Sequence, residues 1–259
     1  MRLIFKSLLA AGVIGTAFSG GARAADEPPE HSFSGKVTLI SEYEYRGLTQ
    51  TAEKPAVQLN LDYAHKSGFY LGTFLTNISW IKDTKDEFRA SSGKGPVEWD
   101  IFGGYKFEVV KDVTLDLGYL RYEYPSSEAV KLAGATILKK PNTNELYAGL
   151  TWTDFNVKYS VSTGDLFGFP DTKKSTFIEI NWSKEVMEKL TLTAHLGRVK
   201  VKNASDFDYT VYRLGGTYDW NGWLLGAYIK GTDADGRLYT YKGKDWSKDR
   251  LVVSVAKTF

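Results

Sequence analysis

Twelve segments of the sequence are predicted to be strands, and eleven of them alternate apolar and polar residues with a period of two, the pattern of β-strands that place one face against an apolar medium. The clearest covers residues 57–63, with valine, leucine and tyrosine on one parity and glutamine, asparagine and aspartate on the other. Residues 69–80 are apolar on both parities, so their facing stays open. The last segment ends the chain at Phe259, and we expect it to pair with the first one near Val37, which would leave no free sheet edge.

The connections between these segments alternate between short and long. The predicted short ones are residues 65–68, 108–112, 153–154, 183–189 and 221–222, and the predicted long ones are residues 46–54, 81–96, 125–142, 163–174, 199–207 and 231–247. The pair Asn221-Gly222 is typical of a type I′ hairpin turn. A soluble β-sandwich has no physical need for this alternation, whereas outer-membrane barrels combine short periplasmic turns with long outer loops.

These patterns predict an all-β fold, a 12-stranded antiparallel transmembrane β-barrel of the outer-membrane type with both termini on the periplasmic side. Strands of about 9 to 11 residues suit the thickness of the hydrocarbon layer when they are tilted. The slightly polar mean hydropathy of −0.30 is compatible with a membrane, because half of each barrel strand faces inward. The chain has no cysteine, which excludes a disulfide scaffold and a thiolate metal site.

The first 24 residues have the features of an export signal. A short basic start is followed by an apolar or small-residue stretch and by Ala22-Arg23-Ala24, an A-x-A cleavage site. The stretch is too short for a membrane helix. We therefore predict a signal peptide over residues 1–24, a single barrel domain over residues 25–259 and localisation in the bacterial outer membrane. Cleavage would lower the basic count from 33 to 30 against 31 acidic residues, and nothing in the composition indicates a nucleic-acid partner.

The polar parity of the strands predicts which side chains line the barrel lumen. The predicted lining residues are Glu42, Glu44, Asp62, Glu98, Asp100, Lys106, Asp116, Glu145, Lys158, Glu179, His195, Arg213 and Lys230. Such charges either pair and fill the lumen or line a wet passage that acidic side chains bias towards cations. Twelve strands lie between filled barrels of eight and open barrels of sixteen, so the sequence leaves both alternatives open.

Aromatic residues cluster at the predicted strand ends. The tryptophans expected in two interfacial girdles are Trp80, Trp99, Trp152, Trp182, Trp220, Trp223 and Trp246. Ordinary core positions are the alternative, although a core would not concentrate tryptophan at strand ends.

Three stretches give the chain a family resemblance. Residues 41–47 (Ser-Glu-Tyr-Glu-Tyr-Arg-Gly), 54–58 (Lys-Pro-Ala-Val-Gln) and 67–72 (Ser-Gly-Phe-Tyr-Leu-Gly) resemble the TorF family of proteobacterial outer-membrane proteins, regarded as porins of largely unknown function. The resemblance implies localisation and class but no catalytic motif. Phe259 also resembles the terminal aromatic residue that the barrel-assembly machinery reads, although Lys257 departs from that signature.

No phosphate loop, nucleotide fingerprint, nucleophile elbow or His-Glu-x-x-His helix occurs in the sequence. His195 could serve as a catalytic base only beside a nucleophile and an orienting carboxylate, so a polar lumen position is the favoured interpretation. We predict a non-enzymatic porin without a cofactor, which would pass small hydrophilic solutes and have lipid and the assembly machinery as partners. The alternatives are an outer-membrane enzyme acting on lipid or peptide and a barrel whose loops bind partners.

Overall fold

The protein folds as a closed barrel of twelve antiparallel strands. The structure, a computed structural model, describes residues 29–87, 95–132 and 135–259. The predicted signal peptide therefore lies outside the described residues. The barrel strands are β1 (His31–Ile40), β2 (Ala56–His65), β3 (Phe69–Asn77), β4 (Val97–Val110), β5 (Val113–Glu123), β6 (Thr143–Trp152), β7 (Phe155–Ser162), β8 (Thr176–Met187), β9 (Leu190–Lys200), β10 (Tyr209–Trp220), β11 (Trp223–Thr232) and β12 (Arg250–Thr258).

Each strand pairs with its neighbours in sequence, and β12 pairs with β1 to close the sheet. In the closing ladder Val37 lies opposite Lys257 and Leu39 lies opposite Val255. The backbones of Gly35 and Phe259 exchange two hydrogen bonds of 2.8 and 2.9 Å, so the chain end is tied into the barrel. The prediction that the last strand closes onto the first near Val37 is confirmed.

The two faces of the barrel wall differ in polarity as the alternation predicts. On β12, Leu251 and Val253 are 67% and 48% exposed, whereas Val252 between them is completely buried. Aliphatic and aromatic side chains of the other strands are exposed in the same way and form an apolar outer belt. The open question about residues 69–80 is also answered, because Phe69 and Leu71 are exposed while Phe74 is buried inside.

Short turns join the strands at one end of the barrel. Asn221 and Gly222 have φ angles of 52° and 81°, as a type I′ turn requires, so this prediction is confirmed. The predicted turn over residues 183–189 is shorter in the structure, because β8 continues to Met187 with a bulge after Glu185. Residues at a water-exposed rim can stay in the strand even when they are polar. The apolar–polar alternation therefore predicted the end of the strand too early.

The long connections form structure of their own at the other end. They contain three small hairpins, Glu44–Tyr45 with Leu48–Thr49, Val130–Leu132 with Ala135–Leu138, and Thr240–Tyr241 with Lys244–Asp245. The connection between β3 and β4 also contains a short helix, α1 (Trp80–Glu87), where the sequence predicted only a loop. None of the described helices is long and apolar enough to cross a membrane.

An ion pair joins α1 to the last long connection. The ammonium group of Lys242 contacts Asp86 and lies 3.4 Å from the carboxylate of Asp83. The hydrogen bond from Lys242 lowers the pKa of Asp86 below its ordinary value. The connections at this end therefore contact one another over the barrel mouth.

Candidate functional site

The small hairpin between β1 and β2 folds into the barrel. Its strands, Glu44–Tyr45 and Leu48–Thr49, are joined by Arg46 and Gly47, whose φ angles of 48° and 82° match a two-residue type I′ turn. A β-carbon at Gly47 would lie only 2.7 Å from Val211 and 2.8 Å from Thr232 on the barrel wall. Glycine therefore supplies both the left-handed backbone and the close approach. We call residues 44–49 the inner hairpin.

The inner hairpin crosses the lumen. Nη2 of Arg46 donates to both carboxylate oxygens of Glu145 on β6, at 3.0 and 2.8 Å. The Arg46 guanidinium also lies 4.3 Å from the ring centre of Phe177 on β8. In a ring of twelve strands, β6 and β8 flank β7, the strand opposite β1. A segment that leaves β1 and contacts β6 and β8 spans the full width of the interior.

Two further basic residues hold the inner hairpin in place. Lys230 on β11 is completely buried, and its Nζ donates to the carbonyl oxygen of Gly47 at 3.0 Å. Nη1 of Arg213 lies 3.3 Å from Oε1 of Glu44, while Oε2 of Glu44 accepts the backbone N–H of Gly47 at 2.7 Å. Buried charges persist when they are paired and hydrogen-bonded, so these contacts fix the hairpin across the lumen.

Two acidic residues on β4 lack such basic partners. Glu98 accepts hydrogen bonds from the hydroxyls of Tyr43 at 2.5 Å and Tyr124 at 2.8 Å. Oδ1 of Asp100 is buried and has no hydrogen-bond partner among the described residues. None of the ion pairs formed between described residues includes Glu98 or Asp100. Glu98 and Asp100 are therefore two inward acids on one strand that have no basic partner among the described residues.

His195 belongs to a polar cluster on β7 to β9. Its Nδ1 lies 2.8 Å from Oδ1 of Asn181 and 3.5 Å from Glu179. Glu179 in turn lies 3.1 Å from Nζ of Lys158. None of the hydrogen bonds in the described part of the chain joins His195 to a hydroxyl group. The cluster gives His195 an orienting carboxylate, but it brings no nucleophile to the ring.

Nearer the short turns, the charged side chains of the lumen are more exposed. The hydroxyl of Tyr70 donates to Asp116 at 2.7 Å and contacts the hydroxyl of Tyr147. Nζ of Lys106 lies 3.8 Å from Asp116, and these side chains are 30% and 18% exposed. For the Arg46–Glu145 pair the values are 7% and 3%.

Two regions of the lumen are therefore distinguished. We call the part lined by the inner hairpin, Glu98, Asp100, Glu145 and Lys230 the loop half, and the part lined by Tyr70, Lys106, Asp116 and Tyr147 the turn half.

The thirteen side chains predicted for the lumen are all buried or half-buried, while their apolar neighbours on the barrel strands point outward. They are Glu42, Glu44, Asp62, Glu98, Asp100, Lys106, Asp116, Glu145, Lys158, Glu179, His195, Arg213 and Lys230. One part of the underlying prediction is wrong, since β1 ends at Ile40 and residues 42–45 are not barrel strand. Tyr43 and Tyr45, expected on the outward parity, turn inward because Glu98 and Tyr122 accept or share their hydroxyl hydrogen bonds.

Sequence reasoning missed three basic residues of the interior. Lys36 and Arg250 lie on the inward parity of β1 and β12, a signal that could have identified them, and Arg250 lies 2.6 Å from Glu53. Arg46 was placed in an outer loop, and only the fold shows that this loop turns inward. Among the described residues, the eight predicted inward acids therefore face seven bases rather than four.

The tryptophans divide into two groups. Trp99, Trp152, Trp220 and Trp223 are between 40% and 59% exposed on the barrel exterior, and Trp182 is half-exposed there. The girdle prediction is wrong for Trp80 and Trp246, which lie in connections rather than on barrel strands. Trp80 packs edge-on against Tyr124, and Trp246 stacks on Tyr241 with ring centres 4.2 Å apart.

A cavity of about 130 Å³ lies at the loop end, above the inner hairpin. About half of its lining residues are aromatic, among them Trp80, Phe167, Tyr239 and Trp246, while Arg46 contributes a polar side chain. The indole N–H groups of Trp80 and Trp246 have no hydrogen-bond partner among the described residues.

Two solved structures share this architecture. One is described as "KdgM porin in complex with disordered oligogalacturonate", with a TM-score of 0.51 and 10% identity over 88% of this chain and 98% of that one. The other is the NanC porin, with a TM-score of 0.51 and 10% identity over 88% of this chain and 99% of that one. At this level of identity the likeness shows the fold alone. No curated protein matches the chain by sequence.

A family model covers nearly the whole chain, from residue 23 to residue 259. The match includes every barrel strand and the inner hairpin. The chain therefore belongs to the Gcw_chp family, which is described as a bacterial protein family of unknown function.

Proposed function

We propose that the protein is an outer-membrane channel through which small hydrophilic solutes diffuse passively. The observation that carries the proposal is a closed barrel with an apolar outer belt around a charged interior. Lipid can cover such an exterior, and charged side chains can replace part of the hydration of a passing ion or small solute. The shared fold with two porins and the resemblance to the TorF family support the same function.

The proposal includes the route to the membrane. Residues 1–24 would direct export and be removed, and the assembly machinery would then recognise the terminal strand with Phe259. The ring of Phe259 is 70% exposed at the short-turn end, where a recognition factor can reach it. Outer-membrane lipid would then cover the apolar belt.

The inner hairpin would set the narrowest point of the path. It crosses the loop half from wall to wall, so a solute has to pass beside it rather than through an open tube. The aromatic cavity above it offers a first binding position on the outer side. The solutes are therefore small, of the size of a hydrated ion or a single ring.

Selectivity would be weak and directed towards cations. The eight inward acids are nearly balanced by seven bases among the described residues, which reduces the bias that sequence parity alone predicted. The remaining preference would come from Glu98 and Asp100, which have no basic partner among the described residues and would be charged where water enters the path.

Planar-bilayer recording of the purified mature protein tests this function. We expect discrete conductance steps and, in a KCl gradient, a small reversal potential of the sign that cation preference gives. A silent bilayer for the wild type, together with steps for a variant lacking the inner hairpin, would show a plugged barrel rather than a channel. Silence in both proteins would exclude the channel function altogether.

A further inference from the structure

Two of the three histidines of the chain face each other at the short-turn rim. His31 on β1 and His65 on β2 lie directly opposite in the strand ladder, with ring centres 5.1 Å apart. Glu30 precedes β1, and one potential ligand atom from each of the three side chains lies within 4.8 Å of the other two. Three metal-ligating side chains therefore converge at one exposed point, far from the inner hairpin.

Neighbouring hydroxyl groups orient both rings. Nδ1 of His31 lies 2.9 Å from the hydroxyl of Tyr63, and Nδ1 of His65 lies 2.7 Å from Oγ of Ser67. Each contact engages Nδ1 and leaves Nε2 without a hydroxyl partner; the backbone N–H of Ser67 also lies 3.2 Å from Nδ1 of His65. In the tautomer in which each Nδ1–H donates to its hydroxyl group, Nε2 is the nitrogen that binds a metal ion, and histidine ligands in metal sites are oriented by a second hydrogen bond of this kind.

An ordinary ion pair explains the cluster less well. Nε2 of His65 is 3.6 Å from Glu30, but Nζ of Lys66 is also within 3.7 Å of the same carboxylate. An exposed carboxylate that already has a lysine partner gains little from a second side-chain ion pair. A metal ion would use a neutral imidazole nitrogen of each ring and the carboxylate as a third ligand.

We propose that Glu30, His31 and His65 bind one divalent transition-metal ion of the Zn²⁺ class at the short-turn rim. Imidazole nitrogen suits Zn²⁺, Cu²⁺ and Ni²⁺, whereas Mg²⁺ and Ca²⁺ take sites built from oxygen ligands. Three protein ligands leave at least one coordination position to water, so the ion would exchange with the surrounding solution. The ion would also join β1 to β2 beside the seam at which the barrel closes.

Isothermal titration of the full-length protein in detergent, without a polyhistidine tag, tests the site with ZnCl₂ and with MgCl₂. We expect one Zn²⁺ per chain and no binding of Mg²⁺. His31→Ala and His65→Ala should each weaken Zn²⁺ binding by at least about tenfold, and the double variant should abolish it. The matched control is Lys66→Gln, which changes an exposed neighbour of Glu30 and should leave the stoichiometry unchanged.

Thermal unfolding gives a second readout that does not depend on the titration. Excess ZnCl₂ should raise the unfolding temperature of the wild type and of Lys66→Gln, because a ligand that binds the folded state stabilises it. The double variant should show no such rise, although its unfolding without zinc should be close to that of the wild type. The proposal is overturned if Zn²⁺ binds the double variant as tightly as the wild type, or if Mg²⁺ binds equally well.

Discussion

The charged side chains enclosed in the two halves of the lumen are stabilised in different ways. In the loop half, Arg46, Glu145 and Lys230 are buried and joined by direct hydrogen bonds. In the turn half, Lys106 and Asp116 are partly exposed and separated by 3.8 Å, so water can hydrate both. The difference arises from the inner hairpin, which fills the loop half and has no counterpart among the short turns. A barrel wall of uniform design can thus enclose one half in which charges are buried and one half in which they are partly exposed.

Removing the inner hairpin should have the largest effect. Replacing residues 44–49 by two glycines, with Glu145→Gln and Lys230→Gln to avoid unpaired buried charges, should open the loop half. We expect a severalfold rise in single-channel conductance, since both halves would then be hydrated. The control is Lys202→Gly with Asn203→Gly in another long connection. An unchanged conductance would show that the hairpin does not set the constriction.

Breaking the ion pair at the hairpin tip should have the next largest effect. Arg46→Ala leaves the buried Glu145 without its partner, which should lower the free energy of unfolding by about 3–5 kcal/mol. The double variant Arg46→Met with Glu145→Leu should recover most of this loss. Urea unfolding in lipid vesicles, followed by tryptophan fluorescence, measures both. A double variant as unstable as Arg46→Ala would argue against this explanation.

Neutralising the unpaired acids should change selectivity more than stability. Glu98→Gln with Asp100→Asn should move the reversal potential in a KCl gradient towards zero, because it removes the two acids of the loop half that have no basic partner among the described residues. Asp206→Asn removes an exposed acidic residue from an outer connection and should leave the reversal potential unchanged. Equal shifts for both variants would place the selectivity outside the lumen.

The smallest effect is expected in the turn half. Lys106→Ala should lower the free energy of unfolding by no more than about 1 kcal/mol, because the Lys106–Asp116 pair is long and partly hydrated. The same urea experiment measures this change beside Arg46→Ala. If Lys106→Ala lowered the free energy of unfolding as much as Arg46→Ala does, the two halves would not differ in how strongly their ion pairs contribute to stability.

Much of the barrel could be predicted because its signals are local. Strand parity depends on the side-chain period of the chain itself, and Asn221-Gly222 specifies its turn without distant contacts. The same parity placed Glu98, Asp100 and Glu145 inside. It also contained the signal for Lys36 and Arg250, which lie on the inward parity although sequence reasoning did not use them.

The path of the inner hairpin cannot be predicted from the local sequence pattern. Residues 41–47 continue an alternating pattern, so sequence alone extended β1 through Tyr45. Arg46 finds its partner Glu145 99 residues further along the chain, and no local pattern encodes that pairing. The positions of Trp80 and Trp246 were predicted wrongly for the same reason. A tryptophan near a strand end can lie on the outer face of the barrel or pack among the connections at the barrel mouth.

The sequence by itself determined the number of strands, the facing of all but the third, the closing pair and the alternation of turns and loops, because each follows from neighbouring residues and from the need to leave no unpaired sheet edge. The tertiary structure decided the path of the first long connection, the near balance of charge in the lumen and the meeting of His31 with His65. Those features depend on which distant side chains share an enclosed space, and only closure of the barrel brings them together.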